Sequence, residues 1–213
     1  MTPQTGTTPR STYRHGDLRR ALVEAARAAA RRGGPDAVVL REVTRSVGVA
    51  PNAAYRHFRD RYALLSAVAD SAMSSLAATM EEELQASAEG LPLAERGRAS
   101  LRAVGRGYLA FAVREPGLFR TAFSVHDDLQ RADDSAAAGP TGRTPFQLLG
   151  AALDLMVDGG VLPDSRRPGA EFLAWSAVHG LAVLLIDGPL RSLDADVRQQ
   201  TANRLLLMVE HGL

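Results

Sequence analysis

The stretch that most restricts what this chain can become runs from Val38 to Leu65, VVLREVTRSVGVAPNAAYRHFRDRYALL. Val38, Leu40 and Val43 recur at helical spacing, which predicts a short helix with one apolar face. Gly48 then allows the positive φ that closes a helix, and Pro51 opens the next, where its missing N–H is not needed. Two short helices about a tight glycine-containing turn make a helix-turn-helix. On the second helix Ala54 and Phe58, with Leu64 and Leu65 beyond, are spaced to turn inward. Asn52, Tyr55, Arg56 and His57 are left on or near the outer face, and an exposed helix so equipped suits the major groove of DNA.

Charge is divided along the chain in a way that fits this reading. Residues 1–61 hold 12 Arg against 5 acids, whereas residues 62–213 hold 13 Arg against 19 acids. A basic head on an acidic body is the pattern of a polyanion-binding unit joined to one that binds no polyanion. Every basic residue is Arg, and there is no Lys. The chain has no Cys, which removes disulfides and thiolate metal sites. Its longest strongly apolar run, Leu181 to Ile186, is too short to span a bilayer, and Met1 to Thr12 has no apolar signal-peptide core. The expectation is a cytoplasmic protein without membrane partners.

In chain order, Met1 to Ser11 reads as a mobile arm, and Arg10 and Arg14 stand where it could follow the DNA backbone or enter the minor groove. A first helix from about Asp17 to Arg32 ends at Gly33-Gly34. Asp60 to Met80 or beyond reads as one long helix with a stripe of Leu65, Val68, Ala72, Leu76 and Met80. It joins head to body, either as a rod that transmits tilt or as a spacer. A helix from Leu93 follows, broken at Glu115-Pro116-Gly117, then a short apolar helical turn through Phe123. Asp127 to Thr144 reads as a long exposed loop. Phe146 to Val157 is helical. Pro168 to Ile186 is apolar nearly all round, so it must be buried nearly all round, most simply by a second subunit. Asp194 to Gly212 is the last helix, with Val197, Thr201, Leu205 and Met208 on one stripe.

The block GVAPNAAYRHF, with Arg61 and the pair Leu64 and Leu65, resembles the tetracycline-repressor (TetR) family of bacterial transcription regulators. The likeness covers about Leu18 to Leu65, on a Gly-Val opening, a Tyr-x-His-Phe core and a basic residue before Leu-Leu. Trp175, His179 and Gly180 also look like the Trp-His-Gly signature of one subgroup of ligand domains in that family. Two departures stand out: Val39 and Ala50 occupy places where the family usually has a Ser or Thr N-cap, so both short helices are expected to fray at their starts.

The resemblance implies an all-α protein of about nine helices. Residues 1–62 would form an arm and a three-helix DNA-binding head, and residues 63–213 an effector-binding and dimerisation body. It implies a dimer through the last two helices that binds a palindromic operator, more in the manner of a repressor than an activator, and is released by a small apolar effector. By the same likeness Tyr55 and His57 donate to phosphate oxygens, Arg61 replaces a phosphate-binding Lys, and Arg41 can approach a base. Pro51, Asn52, Ala53 and Arg56 lie toward the leading end of the reading helix, where Asn can address adenine and Arg guanine. In the body Tyr108, Phe111, Phe119, Phe123, Trp175 and His179 are the candidate effector contacts, with plain core the competing reading for each.

Catalysis finds little support. The five His residues show no metal-ligand spacing, and Ser176, His179 and Asp187 lie in or beside one helix, without the turn that exposes a nucleophile. No cofactor motif is present, and the expectation is a protein that is not an enzyme. The alternative to a regulator is a helical small-molecule-binding or protein-interaction module that does not bind DNA.

Overall fold

The computed structural model describes residues 15–87, 90–125 and 134–213, and the arm carrying Arg10 and Arg14 lies outside them. Nine α-helices and no strand occur among the described residues. They are α1 (His15–Gly33), α2 (Leu40–Val47), α3 (Pro51–Ala54), α4 (Arg61–Ser87), α5 (Leu93–Arg114), α6 (Pro116–Ala122), α7 (Pro145–Asp158), α8 (Ala170–Ile186) and α9 (Ala195–Gly212).

The head forms as the spacing predicts. Leu22, Ala26 and Ala30 of α1 are fully buried, as are Val38 and Ala54, and Val43 and Phe58 are nearly so. Gly48 closes α2 in the left-handed region at φ 76°, a conformation that costs glycine no Cβ clash. Neither Val39 nor Ala50 caps its helix through a side chain. The reading helix is shorter than the sequence implies: regular helix stops at Ala54, and Tyr55 to His57 continue as a turn. Its form persists because the N–H groups of His57 and Phe58 both donate to the Ala54 carbonyl at 2.9 Å.

The long helix α4 is capped by Asp60, whose Oδ1 accepts from the Ala63 N–H at 2.7 Å. By length and composition it could cross a bilayer, but half of its most apolar window is buried inside the protein. It serves instead as the core helix shared by head and body, with Leu64, Val68, Ala72 and Leu76 fully buried. Packed along it, α5 also touches α6, α7, α8 and α9. Two interior glycines allow that crowding. A Cβ on Gly107 would lie 2.6 Å from Met80 Cα of α4, and one on Gly97 would lie 2.8 Å from the Leu155 carbonyl of α7. A glycine inside a helix costs roughly 1 kcal/mol relative to alanine. Here the loss is set against backbone contact that no larger residue permits.

In the body, one segment is tied down more than its composition implies, and two helices are covered on one side only. Of the segment Asp127 to Thr144, residues 127–133 lie outside the described residues, and the rest, largely exposed as expected, is also anchored at Thr141 and Thr144. Thr141 donates its N–H and, at 2.6 Å, its hydroxyl to the carboxylate of Glu81, a side chain on α4 that is almost wholly buried. Thr144, also buried, then forms a capping box with Gln147 at the start of α7. The reason is local: a carboxylate taken from water needs donors, and the segment supplies them. The helices covered on one side only are α8 and α9. Within one chain α8 buries Ala170, Ala174, Val178, Leu181, Ala182 and Leu185, and leaves Phe172, Leu173, Val183 and Leu184 exposed. The stripe of α9 that carries Val197 and Met208 likewise faces outward, Met208 being 61% exposed. Glu210, on the inward side of α9, is held by Arg98 at 3.1 Å and Arg102 at 2.5 Å from α5.

Candidate nucleic-acid interface and effector site

In the head, the burial pattern sets which side chains can reach outward. With Ala54 and Phe58 turned into the core, Pro51, Asn52, Tyr55 and Arg56 are exposed, Tyr55 at 55%, while Ala53 and His57 are half-buried. Arg19 of α1 lies over the Phe58 ring, 5.1 Å from its centroid, so the residue that anchors the reading turn is covered by a cation. Arg41 is exposed at the start of α2. Many head arginines are already engaged by protein groups. Arg27 donates to Ser71 and Ser75 on α4 at 2.9 and 2.8 Å, Arg45 pairs with Glu42, and Arg59 pairs with Asp60 at 3.1 Å. Among the described residues the side chains of Arg41 and Arg56 make no hydrogen bond or ion pair and are free to meet an external acceptor.

Arg61 has a task the sequence did not reveal. Its Nε donates to the Val38 carbonyl at 2.7 Å and its Nη2 to the Pro35 carbonyl at 2.6 Å. These carbonyls belong to the 3₁₀ turn Pro35–Ala37 and its end, so Arg61 ties the connection before α2 to the first turn of α4. A phosphate contact from Arg61 has to be shared with that brace.

In the body, five of the six candidate effector residues meet. The ring of Tyr108 lies edge-on to Phe119 at 5.5 Å between centroids, Phe119 and Phe123 are 5.0 Å apart, and Phe123 meets His179 at 4.8 Å. Trp175 completes the group at 6.0 Å from His179 and 6.3 Å from Phe123. Phe111 is buried in the core and shares no ring contact with them. Phe146 was not singled out from sequence, yet it extends the run outward, 6.5 Å from Trp175 and 6.2 Å from the exposed Phe172. An open groove of about 550 Å³ adjoins it, lined also by Arg143, Gln147, Asp154 and Glu171. The sequence placed Phe146 at the start of a helix, but nothing in the spacing tied it to an aromatic group on α8.

A hydrogen-bonded chain runs through the buried end of this cluster. Trp175 Nε1 donates to the Tyr108 hydroxyl at 3.2 Å, and that hydroxyl lies 2.7 Å from His179 Nδ1. Burial raises the Tyr108 pKa far above its ordinary value, against a smaller downward pull from the Trp175 hydrogen bond. Burial lowers that of His179, so the imidazole is neutral near pH 7. The Ser176, His179 and Asp187 set does not assemble. His179 Nδ1 is taken by Tyr108, and Asp187 is held by Arg120 at 2.5 to 2.9 Å, whose hydrogen bonds keep its carboxyl below the usual range.

Head and aromatic cluster meet at α6 as well as along α4. A Cβ on Gly117 would come within 2.3 Å of the Ala30 carbonyl and 2.5 Å of the Arg31 carbonyl, so α6 starts directly beneath the end of α1. Arg31 reaches Glu115 at 2.8 Å, and the Tyr62 hydroxyl donates to the Val125 carbonyl at 3.0 Å. The same short helix carries Phe119, with Phe123 just after it.

Comparison with known proteins agrees on both halves. No curated protein matches the chain. Among solved structures, a protein of unknown function from Rhodococcus sp. RHA1 shares 24% identity over 93% of this chain and 98% of its own, with a TM-score of 0.69. The TetR family transcriptional regulator PfmR from Thermus thermophilus shares 19% identity over 90% and 98%, with a TM-score of 0.55. At such identities the likeness concerns the fold. The family described as bacterial regulatory proteins, tetR family, matches residues 22–68, and the tetracyclin repressor-like C-terminal domain matches residues 101–209, half of the chain by itself. With a helix-turn-helix presented outward and both family domains in place, the chain belongs to the TetR family of DNA-binding transcriptional regulators.

Proposed function

We propose that this protein is a ligand-responsive repressor that binds a palindromic operator as a homodimer and is released by a small apolar effector. The DNA-binding unit is 1–62 and the effector and dimerisation unit 63–213. The observation that carries the reading is the outward presentation of Asn52, Tyr55 and Arg56 from a segment fixed behind by Ala54 and Phe58, with Arg41 exposed at the start of α2. Tyr55 and His57 hold phosphates and set register, while Asn52 and Arg56 address base edges. The exposed faces of α8 and α9 supply the partner surface, since Leu173, Val183, Leu184, Leu207 and Met208 are apolar and uncovered in one chain.

Release follows from the position of α6. An effector wedged among Phe119, Phe123 and His179 displaces α6, on which α1 rests, and so changes the angle between the two heads of the dimer. It does so only to the extent that it binds the released form more tightly than the operator-bound form. The test is a gel shift with the DNA flanking this protein's own gene beside a random duplex, over a range of salt. Binding is expected to weaken steeply with salt on both, as counterion release requires. Arg56→Ala should lose about 1–3 kcal/mol on the operator and little on the random duplex. An equal loss on both would show that Arg56 reads no base.

A further inference from the structure

We infer that the effector site takes a neutral aromatic molecule bearing a hydrogen-bond acceptor oxygen, received by Nε2–H of His179. This rests on the reading of the body as an effector site and adds its chemical polarity. The placement of protons along the chain of side chains leads to it. An indole nitrogen only donates, so the Tyr108 oxygen accepts from Trp175 at 3.2 Å. The hydroxyl proton of Tyr108 has no other acceptor among the described residues, so in this buried chain it is directed at His179 Nδ1, 2.7 Å away, which is then unprotonated. In a neutral imidazole the remaining proton then sits on Nε2.

Nε2 has no partner among the described residues, and no buried side-chain nitrogen or oxygen there is left unpaired. It is therefore reachable from outside the packed core, on a half-buried imidazole that Phe119 stacks against and that Phe123 and Trp175 meet edge-on, with Phe146 beyond Trp175. The site thus pairs aromatic faces with one directed donor. A ligand that is itself only a donor, or only hydrocarbon, leaves that N–H without a partner when it covers it, and a desolvated donor without a partner is unfavourable. The two carboxylates of the adjoining groove, Asp154 and Glu171, are both paired with Arg167, which disfavours a cationic ligand there.

The test uses the full chain and a matched pair of probes, 2-acetylnaphthalene and 2-ethylnaphthalene, which differ in a carbonyl. Binding is followed by calorimetry and by quenching of Trp175, the single tryptophan of the chain. The ketone should bind about tenfold more tightly, as expected for one net hydrogen bond. His179→Gln, which keeps an amide donor near the Nε2 position, should retain most of that preference. His179→Phe should bind both probes alike. Equal binding of the two probes to the unaltered protein, with Trp175 quenched by each, would overturn the donor assignment and leave the effector site standing. Failure of both probes to bind or to quench Trp175 would overturn the effector site and the inference with it.

Discussion

The head and the body handle polar side chains in opposite ways. In the head, Arg41, Asn52, Tyr55 and Arg56 are exposed, and the side chains behind them, Val43, Ala54 and Phe58, are apolar. In the body the informative polar groups, Tyr108, His179, Glu81 and Glu210, are buried or half-buried and each is hydrogen-bonded. A surface that meets a hydrated polyanion keeps its donors in solvent until contact, whereas polar groups packed inside a helical body must find most of their partners within the protein. The two regions are joined by α4 and by the seat of α1 on α6. They are therefore expected to behave as one cooperative unit despite this difference.

The strongest challenge to that unity is Phe58→Ala, which removes the anchor of the reading turn and should destabilise the protein by about 3–5 kcal/mol. If head and body are one unit, loss of helical circular dichroism and the change in Trp175 emission should coincide on heating. Two separate transitions would break the comparison into independent domains. Gly107→Ala attacks from the body side: its methyl group meets Met80 backbone, and about 1–3 kcal/mol should be lost with both signals moving together. Arg120→Ala removes a partly exposed pair with Asp187, worth only about 0.2–1 kcal/mol in stability. Because it joins α6 to the end of α8, its larger effect should be on how much effector is needed to release operator DNA, measured by titration.

The smallest effect expected is on pH dependence. Burial lowers the pKa of His179 in the folded protein, so the unfolded chain binds more protons below its ordinary value of about 6.5. Stability present above that pH is lost as pH falls toward the lower, folded value. His179→Gln should flatten this part of the melting-temperature profile, and a profile unchanged by the substitution would show that the imidazole is not desolvated.

Residues near one another in sequence determined the head. Val38, Leu40, Val43, Gly48, Pro51, Ala54 and Phe58 specify two short helices, their turn and the side that faces in, because helical period and glycine or proline geometry act over a few residues. That is why the sequence alone places Tyr55 and Arg56 outward. The helix order of the body was also legible, down to the break at Glu115-Pro116-Gly117. Only tertiary structure decided which of these helices touch. It bent Arg61 onto the carbonyls of Pro35 and Val38, put Gly107 against Met80, buried Glu81 under Thr141, and brought Tyr108 to His179 across 71 residues. Each of these depends on packing distance between segments far apart in the chain, and periodicity carries no information about that distance.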